Sequence, residues 1–173
     1  MKVGNIAFVG IVLIFNNKVN GFLLGRGENT DFIDPSCIQK GQDGICDFYQ
    51  CFEERRQCGS SGYLTGYGYK YCNKFGLYLN KFTQAGQTWI ACVRRCLTRK
   101  LIEKYEESVG PGQQCEELKT YAFDTHVSCY LDCGFCGIVG SNKLALNSVY
   151  DYSDLLSLNA IKQMSKVIVS CLG

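Results

Sequence analysis

Twelve of the 173 residues are cysteine, and all twelve lie beyond residue 21. That is about 7%, several times ordinary usage, so disulfides or metal thiolates must dominate the fold. The metal reading is weak. Zinc sites favour C-x2-C spacing, and the one such pair, Cys133 and Cys136, has no matching second pair. A single histidine also leaves little for a His-based zinc site. The cysteine number is even, and six disulfides are the default, each worth ~2–4 kcal/mol by restricting the unfolded chain. No metal or other cofactor is expected.

The amino terminus points to an oxidising compartment. Met1 and Lys2 precede an uncharged apolar run, Ile6–Phe15, and Asn16, Asn17 and Lys18 follow at once. A basic head, a short apolar middle and small or neutral residues near a cut make a signal-peptide layout. A buried first helix or strand is the alternative. The run is far shorter than the ~20 residues that span a bilayer, so no membrane span is expected. The cut is placed near Val19–Gly21, giving a signal peptide over residues 1–21. The formal charge of +2 comes from 18 basic and 16 acidic residues. Removing Lys2 and Lys18 leaves 16 of each sign. A neutral chain argues against nucleic-acid binding, and secretion puts the thiols where they pair and persist.

Residues 22–36 read as an irregular leader, with Gly25, Gly27 and Pro35, before a cysteine-rich domain over residues 37–173. Ile45, Phe48, Tyr49 and Phe52 set an apolar stripe on a short helix ending near Arg55–Arg56. Four glycines in residues 59–69 predict a loop. Cys72, Phe75, Leu79 and Phe82 then recur at helical spacing, and Thr83–Gly86 breaks the pattern. Trp89, Cys92, Val93, Cys96, Leu97 and Leu101 continue it until Gly110–Pro111–Gly112 stops it. Cys115, Leu118, Ala122, Thr125, Cys129 and Cys133 mark another helix. Residues 141–150 read as a loop. A last amphipathic helix starts near Ser153, with Leu158, Ile161, Met164, Ile168 and Cys171 on its inner face. No alternating strand pattern is present. The expected fold is mainly α: one disulfide-stapled helical domain of about four to five helices with an antiparallel helix hairpin.

Cys92 and Cys96 are one turn apart, and so are Cys129 and Cys133. In an antiparallel pair, one turn up one helix is one turn down its partner. If Cys96 joins Cys129, Cys92 must join Cys133, and the two bridges staple the helices side by side. Twin C-x3-C motifs also describe the oxidised hairpins of the mitochondrial intermembrane space. Those chains are much shorter, and their targeting segments are basic and amphipathic.

With Cys92 and Cys133 set aside, the remaining spacing is C-x8-C-x4-C-x6-C-x13-C-x23-C from Cys37 to Cys96. It continues x18 to Cys115, x13 to Cys129, x6 to Cys136 and x34 to Cys171. This framework resembles the stanniocalcins, secreted glycoprotein hormones, over roughly residues 37–171. Local residues agree as well: Phe48, Cys51–Phe52–Glu53, Lys81–Phe82, Gln84–Ala85–Gly86 with Trp89, and Cys129–Tyr130. The intervals ending at Cys58, Cys72 and Cys115 are longer here.

The resemblance implies five bridges: Cys37–Cys51, Cys46–Cys72, Cys58–Cys115, Cys96–Cys129 and Cys136–Cys171. The two cysteines it leaves over, Cys92 and Cys133, are the pair that antiparallel helices would join. It further implies hormone activity, roles in calcium and phosphate homeostasis, and inhibition of an extracellular metalloprotease. An extracellular receptor or protease would be the partner. Three features depart from the vertebrate pattern. No N-x-[ST] sequon occurs in the chain. No cysteine follows Cys171 to serve the covalent dimer, so a monomer or non-covalent dimer is expected. The long family tail has no counterpart.

No catalytic residue is expected. Secreted phospholipases A2 need a His–Asp pair on a helix, whereas His126 and Asp124 do not share a helical face. Glu106–Glu107 and Glu116–Glu117 are adjacent and point in different directions, as solvated surface carboxylates do. Candidate partner-binding residues are Tyr63, Tyr67 and Tyr69, with neighbouring Tyr71, because tyrosine gives contact area at low entropy cost. The basic cluster Arg94, Arg95, Arg99 and Lys100 is the second candidate. The bland alternatives are packing over the disulfide core for the tyrosines and the wet face of a helix for the cations. A second function class, a secreted cysteine-rich effector or toxin acting on a channel or protease, fits the same features.

Overall fold

The computed structural model describes residues 32–107, 110–155 and 158–172. The apolar amino-terminal run, the cut and residues 22–31 lie outside the described residues. The helices are α1 Pro35–Asp43, α2 Phe48–Arg56, α3 Lys70–Leu77, α4 Gln84–Glu106, α5 Cys115–Asp132, α6 Phe135–Val149, the single turn α7 Tyr152–Leu155 and α8 Leu158–Leu172. A π-helical turn covers Leu64–Tyr69, and a 3-10 turn covers Leu79–Lys81. No strand occurs among the described residues. The expected mainly α, disulfide-rich class holds, with more helices than four to five.

The hairpin of α4 and α5 is the frame. Thr83 starts α4 because its Oγ1 accepts a hydrogen bond from Gly86 N at 3.2 Å, satisfying a free helix donor. The chain turns between the two helices at Gly112, whose φ of 70° suits glycine and whose N–H donates to Arg56 O at 2.7 Å. Cys96 and Cys129 join with their Cα atoms 5.7 Å apart, and Cys92 and Cys133 with theirs 5.8 Å apart. Cys37–Cys51, Cys46–Cys72, Cys58–Cys115 and Cys136–Cys171 complete the set, and no cysteine is free.

Two buried clusters flank the frame. One gathers Trp89, Val93, Leu97, Tyr130, Phe135 and Val149 between α4, α5 and α6. The other gathers Phe48, Phe52, Leu64, Leu101, Tyr105 and Leu118 between α2, the π-turn, α4 and α5. Trp89 lies edge-on to Tyr130 at 5.2 Å and donates through Nε1 to the Tyr130 carbonyl at 3.4 Å. Gly68 lets the π-turn press against α2. A Cβ there would stand 2.5 Å from the Tyr49 ring.

The structure corrects five local expectations. The irregular leader expected over residues 22–36 ends before Pro35, because Asp34 caps α1 by accepting from Ser36 N at 2.8 Å. The glycines of 59–69 do not keep the segment a loop. Leu64 and Gly68 are buried, and packing holds a wide helical turn against propensity. Residues 141–149 are helical, because Asn142, Ala145, Leu146 and Val149 are buried on one face of α6. Ile45 is exposed, just before α2, whereas Phe48, Tyr49 and Phe52 are buried. The inner face of α8 is rotated. Ala160, Gln163 and Val167 are buried and Met164 and Cys171 half-buried, while Ile161 and Ile168 face solvent. The Cys136–Cys171 bridge and small Ala160 set that rotation. The side chain of Leu158 lies outside the described residues.

Asn142 ties α6 to the start of α4. Its Oδ1 accepts from Thr83 N at 2.8 Å, and its Nδ2 donates to Ile138 O at 2.8 Å and to Thr83 Oγ1 at 3.0 Å. Asn142 is buried whereas Thr83 is exposed, so Asn142→Ala removes the bonds that tie α6 to the α4 cap without burying an unpaired donor, which costs about 0.5–1.5 kcal/mol. The check is the guanidinium midpoint of the fully oxidised protein. An unchanged midpoint would show that the cap does not depend on Asn142.

Candidate functional site

The tyrosine segment turns inward. Tyr63 is only 4% exposed, its ring stacked on Tyr67 at 5.9 Å and edge-on to Phe123 at 5.7 Å. Tyr67 sits between Tyr71 at 4.6 Å and Phe123 at 4.7 Å. Tyr130 and Tyr150 share a hydrogen bond between hydroxyls at 2.8 Å. Burial lifts the Tyr49, Tyr63, Tyr67, Tyr130 and Tyr150 hydroxyls above their ordinary range, so all five stay protonated. Tyr63 therefore packs over the disulfide core and is no part of a recognition surface. Tyr67 and Tyr69 are half-buried.

The cavity these rings enclose with Trp89, Arg94 and His126 measures about 40 Å³. That is room for a water molecule and none for a substrate. His126 is buried in its wall, and its Nδ1 donates to the Ala122 carbonyl at 2.6 Å, since a carbonyl can only accept. Burial lowers its pKa to about 4, the hydrogen bond offsetting only part of that. A neutral ring with no carboxylate partner serves packing. Among the described residues no group of three His, Cys, Asp or Glu is placed to hold a metal ion.

The basic cluster on α4 splits. Arg94 points inward, where Nη2 donates to the Cys72 carbonyl while Nε finds no partner. Arg95, Arg99 and Lys100 are exposed, with Arg99 Nε donating to Gln42 O at 3.0 Å. None of these three forms an ion pair among the described residues. They make a free positive edge beside the α1–α4 contact.

Sequence reasoning missed two surface features. Lys70 contacts Asp151 and Asp154 at 2.7 Å each, Lys74 reaches Asp151 at 2.5 Å, and the Tyr71 hydroxyl donates to Asp154 at 2.6 Å. The hydrogen-bonding lysines hold the Asp151 carboxyl down at about 2, and Lys70 with Tyr71 lowers Asp154. This network pins α7 to α3. Its only sequence signal is the spacing of Lys70 and Lys74 by four and of Asp151 and Asp154 by three. The second feature is the outer face of α8, where Ile161, Ile168, Val169 and Leu172 are exposed.

The buried histidine makes stability depend on pH. Its folded pKa lies below the ordinary 6.5, so the unfolded chain binds the proton first as pH falls. Stability from this group is constant above about 6.5 and declines towards about 4, by on the order of 3 kcal/mol. His126→Gln should flatten the unfolding free energy across that window. A wild-type profile already flat there would contradict the buried neutral ring.

The geometry is thus a cystine-locked helical body with Arg94 and the ring cluster inside and Arg95, Arg99, Lys100 and the aliphatic row of α8 on the outside. Among the described residues no helix is long and apolar enough to cross a membrane. Searches of curated proteins and of solved structures return no match. The family model described as Stanniocalcin family matches residues 28–172. That match spans all six bridges, and the chain belongs to the stanniocalcin family.

Proposed function

We propose that this protein is a secreted, non-enzymatic signalling protein that acts by binding extracellular proteins. The supporting observation is family membership over residues 28–172 together with a cystine framework that uses every cysteine within one chain. In this reading residues 1–21 are a signal peptide, residues 22–36 a leader and residues 37–173 the functional domain. The oxidised hairpin preorganises its surface, so little ordering entropy is lost on binding. With all cysteines consumed internally, the protein acts as a monomer or a non-covalent dimer. The finer role follows the family: calcium and phosphate homeostasis, and inhibition of an extracellular metalloprotease. Arg95, Arg99 and Lys100 form the contact edge offered to an acidic partner surface, with Arg94 held inside.

The test uses the oxidised mature protein against a secreted metalloprotease of the kind the family inhibits. Saturable inhibition is expected, and none from the reduced, alkylated chain. Replacing Arg95, Arg99 and Lys100 together by alanine should slow association about tenfold at low salt, with less effect at high salt. Hydrolase turnover by the protein itself, abolished by His126→Ala, would contradict the non-enzymatic reading. Equal association by the triple variant would remove the basic edge from the contact.

A further inference from the structure

The strongest apolar periodicity of α8 faces solvent. Ile161, Ser165, Ile168 and Leu172 follow one another at intervals of four, three and four, the a/d spacing of a helix-packing seam. Ile161 is 46%, Ile168 50% and Leu172 82% exposed, and Val169 beside them is 69% exposed. The opposite face, with Ala160, Gln163 and Val167, is already buried in the domain, where α8 packs chiefly against α5. The helix therefore has two apolar sides, and only one is used inside the domain. Isolated exposed aliphatic residues need no explanation, but an aligned row on one helix does.

The shape and charge of this face select its occupant. A narrow a/d seam, with small Ser165 in its middle, accepts the ridge of one helix. It carries no Trp, Tyr or Phe, the side chains that anchor helices at a membrane interface. α8 has Lys162 and Lys166 and no carboxylate. Lys166 lies 3.3 Å from Asp124 of α5, whereas Lys162, exposed beside the seam, has no ion-pair partner among the described residues. A second copy of α8 would bring no carboxylate to Lys162.

We propose that the outer face of α8 docks a helix of a different extracellular protein, apolar along one seam and acidic along the edge that meets Lys162. The inference rests on the protein-binding reading above and names where that binding occurs. It is the helix-in-groove mode of recognition, with anchors at Ile161, Ile168 and Leu172. The basic edge of α4 adds steering at long range, while the α8 seam supplies the desolvated contact.

The probe is a three-heptad peptide held helical by a side-chain staple, with leucine at a and d and glutamate at e and g. Its glutamates keep it from pairing with itself. A twin carries lysine in their place. Fluorescence anisotropy on the full oxidised protein should show saturable binding of the acidic probe over the basic twin. Ile168→Asp should weaken it by at least about tenfold, as loss of an interface anchor does. Lys162→Glu should reverse the preference between the twins. Both positions are exposed, and a native circular dichroism spectrum with all six bridges shows that the variants fold. Equal binding of the twins, or binding untouched by Ile168→Asp, overturns the proposal. So does a dimer in sedimentation that Ile168→Asp dissolves, which would make the occupant a second copy. Binding to phosphatidylglycerol vesicles, lost in Ile168→Asp, would make it a lipid surface and overturn the proposal as well. Metalloprotease inhibition that survives Ile168→Asp in full defeats the α8 inference and leaves the functional reading standing. If wild type inhibits no metalloprotease, that reading fails, and the probe titration still decides the docking face.

Discussion

Two cystines between the same two helices govern the architecture. Cys92 and Cys96 lie one turn apart on α4, and Cys129 and Cys133 one turn apart on α5. Two bonds at that spacing fix translation and rotation of one helix against the other. They close loops with sequence separations of 41 and 33 residues, which removes much of the entropy of the unfolded chain. Trp89 then meets Tyr130, and α6 leaves the hairpin immediately after Cys133 through Gly134, whose φ is 89°. α8 is tied to that same end by Cys136–Cys171.

With the hairpin locked, the interior fills with rings instead of leaving a site. Tyrosines 63, 67, 71, 130 and 150 line, with His126, a cavity of about 40 Å³. The one group with a natural pKa near neutrality is held uncharged there, on a backbone carbonyl. Arg95, Arg99, Lys100, Lys162 and the aliphatic row of α8 stand on the outside. A rigid body with such a surface suits recognition, because its side chains are held in place before a partner arrives.

Much of this was legible in the sequence, for physical reasons. Helical class and the α4–α5 hairpin follow from apolar residues at spacings of three and four and from two C-x3-C pairs. α6 was obscured by its Ser, Asn and Gly content, which looks like a loop until Asn142 is seen bonding to Thr83. The tyrosine segment was obscured by its glycines, which reflect close packing against Tyr49 at Gly68. α8 misled in a more informative way. Its strongest apolar stripe predicts a buried side and instead faces solvent, because periodicity reports a face and not which way the face points. The direction is set by Cys171 and by small Ala160, and both are weak signals in a sequence. The ion-pair network of Lys70, Lys74, Asp151 and Asp154 joins residues about eighty positions apart, which no local pattern reveals.

Peptide mapping of the non-reduced protein reads the register of the α4–α5 hairpin. Trypsin cuts after Arg94 and Arg95 and so separates Cys92 from Cys96. Cleavage before Asp132 separates Cys129 from Cys133. One cross-linked pair should hold Cys96 with Cys129 and another Cys92 with Cys133. Recovery of Cys92 with Cys129, or of Cys96 with Cys133, would contradict the antiparallel register on which the rest of the structure is built.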